Sequence, residues 1–363
     1  MPIYMDVHIV PGVKAKDVAE AHRKDLLHQE EHGCKCMTYW IDEQRENIFC
    51  LIDAPEKEAV EEMHRKAHGL IPNKIIEVNN SLVESFLGRI YDPEKTEITE
   101  DGLKVFSDSS FRVLLVTKTT DPALLQYQFG NEKAHALLNE HNRIIRNNIK
   151  LFDGREVEHE RNGFIVSFTS ASKAVSCALA VYREIENANE FGFKIGINCG
   201  EPVAKSNDMF GDTIQFADNL CNIADNKVAI ASRIKELVSK DNFQNEKKYF
   251  FSLSPNDERL LELLFNKLEE NWQNADFDIT NYCHAVAMSS SQLYRKTISL
   301  TGLSPNILLK DFRLEKAKQL MKKQRYSIAQ ITYDTGFTSA SYFTKCFKKK
   351  YGLLPMAYLD LLH

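Results

Sequence analysis

Two stretches near the C-terminal end share one layout, and that repeat restricts this part of the chain to an all-helical design. The first is DITNYCHAVAMSSSQLYRKTISLTG, residues 278–302, and the second is SIAQITYDTGFTSASYFTKCFKKKYG, residues 327–352. Each predicts an apolar-periodic helix, a break, a Ser/Thr-rich start and a second helix mixing aromatic and basic residues. The breaks fall at Ala287-Met288-Ser289 and Thr335-Gly336-Phe337. Ser289 and Thr338 are expected as caps, because a hydroxyl can satisfy a free N–H in the first helical turn. Gly336 suits a sharp turn that would strain a β-carbon. Between the repeats, LLKDFRLEKAKQLM (308–321) reads as one continuous amphipathic helix holding the two heads apart. From Glu258 onward nothing reads as strand.

The rest of the chain is of a different kind. At 363 residues it is long enough for two or three cores. Hydrophobic residues at 43% and charged ones at 27% fit a soluble globular protein. No apolar run reaches the roughly 18 residues of a membrane span. The start, MPIYMDVHIV, lacks the basic and small-residue flanks of a signal peptide. A cytoplasmic location is therefore expected, with no membrane partner. The 8 cysteines show no paired zinc spacing, so free thiols are expected. The net charge of −5 argues against nucleic acid only until its distribution is read. Between Lys310 and Lys350 eleven Lys/Arg stand against three Asp/Glu. Such asymmetry suits a polyanion-binding module attached to acidic domains, with double-stranded promoter DNA as partner.

Residues 1–79 alternate strand and helix signals. Strands are expected at Met1–Val10, Met37–Asp42, Asn47–Ile52 and Ile75–Val78, and helices at Lys16–His32 and Glu56–His68 with Pro55 in the first turn. The order βαββαβ is that of a ferredoxin-like α+β sandwich. Residues 80–108 are polar around DPEKTEITEDG and read as a linker, or an exposed helix and loop. An α/β block follows over 109–238, with strands at Phe111–Thr117, Arg155–His159, Gly163–Phe168 and Lys194–Cys199. Its helices are expected at Pro122–Lys150, Ser172–Asn187 and Thr213–Ala224. A second linker, 239–254, precedes the helical end, 255–363. The fold class is thus multidomain: a ferredoxin-like sandwich, an α/β middle domain and an all-α C-terminal domain.

The C-terminal segment from Ser254 to Leu361 resembles the AraC/XylS family of transcriptional regulators. Its most specific matches are Ile328-Ala329, Gly336-Phe337, Ser341-Tyr342-Phe343, Phe347-Lys348-Lys349, Gly352 and Pro355, with Gly302-Leu303-Ser304-Pro305 closing the first motif. Thr332 departs from the family's small apolar residue and is expected to loosen packing. The resemblance implies that the second helix of each motif enters the major groove. By motif position Ser291, Tyr294 and Arg295 would face bases in the first head, and Ser341, Tyr342, Thr344 and Lys345 in the second. Arg295 is the prime base reader, because its guanidinium fork matches the guanine O6/N7 edge. Lys348, Lys349 and Lys350 are expected on phosphate. A solvated face is the bland alternative for these lysines, and partial core packing for Tyr294 and Tyr342.

Residues 111–238 resemble the class III nucleotidyl cyclase domain, through HNRIIRNNIKLFDGREVEHERNGFIVSF, ASKAVSCALAVYREI, KIGINCGEPV and FGDTIQFADNL. That chemistry needs two carboxylates holding two metal ions, and an Asn/Arg pair at the transition state. Here the carboxylate positions fall on Thr117 and Asn162, with Arg161 replacing a glycine. The base-recognising Lys falls on Glu158, and the Asn/Arg pair on Gln215 and Asn219. Neutral groups cannot substitute for carboxylates around Mg²⁺. Asp121 and Asp212 lie outside the strand-end positions, and Asp212 suits a helix N-terminus. The resemblance thus implies an inactive, dimerising fold, leaving open a retained nucleotide or small ligand.

Six of the 11 histidines lie within the first 68 residues. His8 shares a strand face with Tyr4 and Asp6 by period two. His22 and Asp25 are i,i+3 on one helix, and His64 and His68 are i,i+4 on the other. Both helices of a βαββαβ sandwich lie on one side of the sheet, so these residues can converge. The expected ligand set is His8, His22, Asp25, His64 and His68, with Cys50 as a soft addition. Imidazole with carboxylate suits Ni or Zn without choosing between them. His28 and His32 read as exposed. Through PIYMDVHIVPG, HRKDL, TYWID, FCLIDAPEKEA and HRKAHGL, residues 1–78 resemble a small family related to a nickel-binding ferredoxin-like protein. Two alternatives stay open: histidines that are merely surface or hydrogen-bonded core residues, and a small α+β-barrel monooxygenase with His or Trp40 lining an organic pocket. The combined expectation is a homodimeric AraC-type regulator, not an enzyme, controlled by a metal or small-molecule effector. Its rival is a DNA-tethered enzyme, either that monooxygenase or a residual cyclase.

Overall fold

The computed structural model describes residues 1–100, 102–160, 163–188, 192–224, 227–238, 247–323 and 325–362. The N-terminal sheet has order β2-β3-β1-β4, with every pair antiparallel. Its strands are β1 (Ile3–Ile9), β2 (Lys35–Asp42), β3 (Asn47–Asp53) and β4 (Lys74–Val78). Helices α1 (Ala15–His28) and α2 (Lys57–Ala67) complete the βαββαβ order. A 3-10 turn, Gln29–His32, follows α1 and stops at Gly33, whose φ is +64°. The α2 helix begins after Glu56, so Pro55 precedes the cap instead of lying in the first turn.

Strand β1 is buried on both faces. Asp6 and His8 point to one side, while Met5 and Val7 point to the other. The second side forms a shared core: Met5, Trp40 and Phe49 pack with Phe86, Leu114 and Phe210 from later in the chain. Helix α3 (Asn80–Leu87) is therefore not the exposed helix expected from its polar surroundings. Its Val83 and Phe86 are buried, and the Arg112 guanidinium donates to the Phe86 and Leu87 carbonyls at 3.0 and 3.1 Å. These bonds satisfy carbonyls that a helix end leaves open. The two-residue strands β5 (Glu97–Ile98) and β6 (Lys104–Val105) then return the chain, so that Phe106 stacks on Tyr39 at 4.1 Å.

The middle sheet has order β12-β11-β10-β7-β9-β8. Strand β7 (Arg112–Thr119) lies antiparallel to β9 (Gly163–Phe168) and β10 (Phe193–Gly200), and β8 (Arg155–Glu160) forms the hairpin with β9. Strands β11 (Val228–Ile230) and β12 (Phe250–Ser252) add in parallel, so the end of the expected 239–254 linker joins the sheet. Residues 239–246 of that linker lie outside the described residues. The expected helix Pro122–Lys150 is two: α4 (Pro122–Phe129) and α5 (Asn131–Leu151), divided at Gly130 with φ +80°. Helices α6 (Ala171–Ala188), α7 (Gly211–Ile223) and α8 (Ser232–Leu237) follow.

The C-terminal part is helical: α9 (Pro255–Asn271), α10 (Ile279–Ala285), α11 (Ser290–Thr301), α12 (Pro305–Lys322), α13 (Ile328–Asp334), α14 (Ala340–Tyr351) and α15 (Pro355–Asp360). Ser289 caps α11 and forms a reciprocal box with Gln292. The cap of α14 is Ser339 rather than Thr338, its hydroxyl accepting from the Tyr342 N–H at 3.3 Å. The reason is a turn one residue longer in the second head, counted from the left-handed residues Ala287 (φ +52°) and Gly336 (φ +74°). Thr332 does not loosen the packing: it is buried, and its hydroxyl donates to the Ile328 carbonyl at 2.8 Å.

Candidate metal centre and nucleic-acid interface

The helix-covered face of the N-terminal sheet brings together donors from four elements. Asp6 and His8 come from β1, and Cys50, opposite Asp6 in the register, from β3. Asp25 comes from the last turn of α1, His64 from α2, and His68 from the residue closing α2. Helix α2 turns Val60, Met63 and His64 inward, so the histidine enters on the same stripe as the apolar anchors. Two groups of potential ligand atoms result, each with all members within 4.8 Å: Asp6, His8, Cys50 and His64, and Asp25, His64 and His68.

His64 belongs to both groups and is fully buried. Its Nε2 lies 2.9 Å from Asp6 Oδ2, and its Nδ1 lies 3.1 Å from Asp25 Oδ1. The other Asp6 oxygen lies 3.4 Å from His8 Nε2 and accepts the Cys50 N–H at 3.2 Å. His68 Nε2 stands 3.1 Å from Asp25, while its Nδ1 accepts the Leu70 N–H at 3.2 Å. That backbone bond makes Nε2 the protonated nitrogen of neutral His68, so His68 positions Asp25. Among the described residues the buried His8 Nδ1 has no hydrogen-bond partner.

Burial pushes the Asp6 carboxyl up, but the His8 and His64 rings outweigh it and hold the group below the usual carboxylate range. For Asp25 the same opposition, burial against hydrogen bonds from His64 and His68, also ends low. Burial alone would push His64 down, yet Asp6 and Asp25 raise it to about 10. Burial and the nearby carboxylates raise the Cys50 thiol. Asp6 and Asp25 are thus two buried carboxylates that share three imidazoles, His8, His64 and His68, and with the His8 ring deprotonated as a ligand and the His68 ring neutral the cluster is left acidic. A cation is the species that compensates it. The donors, nitrogen and oxygen with one thiol, suit Ni²⁺ or Zn²⁺ rather than an all-oxygen cation such as Mg²⁺. The residues therefore fit a transition metal.

The cavity at this point measures about 20 Å³, lined by His8, His22, Asp25, Cys50, His64 and His68 among others. That is room for about one water-sized species and not for an organic substrate. Trp40, the alternative pocket residue, lies fully buried on the opposite face with the Arg89 guanidinium 4.6 Å from its ring. The monooxygenase alternative thus finds no organic pocket here. His22 also departs from expectation: it lines the cavity, but its Nε2 turns to Asp92 at 3.6 Å and its ring lies 5.2 Å from Tyr39. Asp92 belongs to the segment read as a linker, so this partner was invisible in the sequence. Asp6 is the donor missing from the expected set, although its two-residue spacing from His8 placed it on the same face. His28 and His32 are half-buried rather than exposed.

On α11 the buried stripe is Leu293, Thr297 and Leu300, and on α14 it is Phe343, Cys346 and Phe347. Ser291, Tyr294 and Arg295 are exposed on the first head. On the second, Ser341, Tyr342, Lys345, Lys348 and Lys349 are exposed and Thr344 is half-buried. Tyr294 and Tyr342 are each 55% exposed, and the Tyr342 ring also lies 6.3 Å from the buried Phe337, so partial packing stays compatible with its position. Lys350 is a correction: its Nζ lies 3.3 Å from Glu315 and 3.5 Å from Asp311, so it is occupied within the domain instead of free for phosphate.

In the middle domain, the Thr117 hydroxyl accepts the Phe164 N–H at 3.0 Å and so ties β7 to β9. Glu158 and Gln215 are exposed, and Asn219 is buried in α7. Asp212 lies in the first turn of α7, accepting the Ser206 N–H at 2.9 Å. Arg161 and Asn162 lie outside the described residues. Among the described residues, no group of potential metal ligands assembles in this domain, and no helix is long and apolar enough to cross a membrane. All 8 cysteines are free.

Comparison with known proteins matches two parts of the chain. Residues 282–360 match the family described as a helix-turn-helix domain. Residues 4–78 match the family described as nickel responsive protein SCO4226-like. These matches bear out the resemblances read from the C-terminal and N-terminal motifs. A relative, histidine kinase P4 of Formosa agariphila, is 31% identical over 147 residues, which is 40% of this chain and 10% of that protein. The HTH-type transcriptional regulator MtrA of Neisseria gonorrhoeae is 33% identical over 99 residues, 27% of this chain and 31% of that protein. The chain thus spans less than a third of the length of either relative. A solved adenylate cyclase structure from Trypanosoma brucei is similar at 16% identity and a TM-score of 0.32, over 38% of this chain and 79% of that one.

Proposed function

We propose that this chain is a DNA-binding transcriptional regulator of AraC type whose N-terminal domain, residues 1–79, senses a divalent transition metal, Ni²⁺ or Zn²⁺. Residues 109–238 are its non-catalytic, dimerising body, and residues 255–363 bind promoter DNA in the cytoplasm. One observation carries the coupling: the strand that supplies Asp6 and His8 to the donor cluster supplies Met5 and Val7 to the core shared with the middle domain. A ligand shifts such an assembly only by binding one arrangement more tightly than another.

Asp6, His8, Cys50 and His64 would hold the ion. Asp25 would accept the His64 Nδ1 proton and orient that ring, as outer-shell carboxylates do for ligating histidines. The ion, when bound, would supply positive charge beside the two buried carboxylates. His22 stands aside with Asp92.

DNA binding by the full chain tests the reading. Affinity for a selected site should fall with salt and change on adding Ni²⁺ or Zn²⁺. Arg295→Ala should relax base preference at one position, costing about 1–3 kcal/mol, whereas Lys348→Ala should weaken all sequences alike. Salt-independent or absent binding would refute it. For the middle domain, the occupied Thr117 hydroxyl and the neutral Gln215 and Asn219 support a body without cyclase chemistry. Incubation with ATP or GTP and Mg²⁺ or Mn²⁺ should yield no cyclic nucleotide; its appearance would overturn this part.

A further inference from the structure

Asp121 stands at the cap of α4, in the middle domain, and is 4% exposed. One of its oxygens accepts the Ala123 N–H at 3.1 Å. Among the described residues the other is met by α15 of the second head and by the end of the connecting helix α12: the Tyr358 hydroxyl donates at 3.0 Å, Lys322 Nζ lies at 3.0 Å and Lys318 Nζ at 3.8 Å. Beside it, Ala123 enters the core of that head with Met321, Phe347 and Tyr358. The first head is attached by other means. Leu293, Leu300 and Leu308 share one continuous core with Leu220 of α7, Ile234 of α8, and Leu261 and Leu264 of α9.

We infer that the middle domain braces both heads at once, and that Asp121 is the residue positioning the second. An apolar seam tolerates sliding, but a buried carboxylate does not: it is stable only where the phenol and ammonium groups meet it. The brace therefore sets the orientation of α14 relative to α11 beyond what the connecting helix α12 imposes. Two linked DNA-binding elements held rigidly gain affinity only on sites whose spacing matches, and lose it when the spacing changes. This consequence for DNA rests on the regulator reading above; the brace itself does not.

The test compares the full chain with Asp121→Ala, and with Lys322→Met/Tyr358→Phe, which disarms the contact from the other side. Hydrogen exchange over residues 355–360 should quicken by about tenfold or more in both, without change over 279–285. On DNA, adding or removing one base pair between the two contacted segments should cost the unaltered chain about tenfold in affinity and the variants about threefold or less. Unchanged exchange in the folded double variant overturns the brace. Quickened exchange with an unaltered spacing profile overturns its positioning role. If the unaltered chain binds no DNA while exchange responds as stated, the regulator reading fails and the brace stands.

Discussion

Replacing His64 with alanine should reduce uptake of Ni²⁺ or Zn²⁺ by the full chain by more than about 100-fold, the upper end of what outer-shell substitutions cost. His64 is the only residue common to both donor groups, and its two nitrogens face two different carboxylates. Its loss leaves Asp6 and Asp25 buried without their shared partner. Asp25→Asn, which keeps shape but weakens the bond orienting the ring, should cost about 10- to 100-fold. His22→Ala should cost less than about threefold, because that ring is committed to Asp92 and Tyr39. Titration calorimetry with metal-free protein separates the three. Equal losses for His22 and His64 would sink this assignment.

Gly336→Val should destabilise the second head by about 3 kcal/mol, combining left-handed strain of about 1–2 kcal/mol with the cost of forced overpacking. Gly336 has φ +74°, and a β-carbon there would lie 2.5 Å from the Trp272 carbonyl oxygen and 2.9 Å from the Arg313 guanidinium. Arg313 cannot simply withdraw, since it donates to the Trp272, Asn274 and Phe277 carbonyls and so closes the connection between α9 and α10. The corresponding Ala287 carries a β-carbon at φ +52°, and Ala287→Gly should stabilise the first head by up to about 1 kcal/mol. Native-state hydrogen exchange reads each head separately. Loss of protection spread equally over α10 and α14 after Gly336→Val would contradict the local account.

Much of both sites was legible because their signals are short-range. A helix presents residues three and four apart on one face, so the pairs at 22/25 and 64/68 were visible without a fold. Likewise, buried stripes on α11 and α14 follow from apolar spacing, and the exposed residues are what remains. What failed was long-range. Asp6 looked like any alternating strand residue until β3 and α2 closed over it. Residues 80–108 looked like a tether because the polar centre outweighs a helix whose Phe86 fills a gap between two domains. Lys350 looked free because Asp311 and Glu315 lie more than thirty positions away.

By itself, then, the sequence determined the kinds of elements, the repeated two-helix heads, the basic C-terminal end and the histidine-rich start, because propensity, capping and periodicity act within a few residues. Only the tertiary structure decided which donors meet, that His22 turns away, and that both heads rest on the middle domain through an apolar core and Asp121. Those outcomes depend on burial, which makes an unpaired charge costly and a partner from a distant segment decisive.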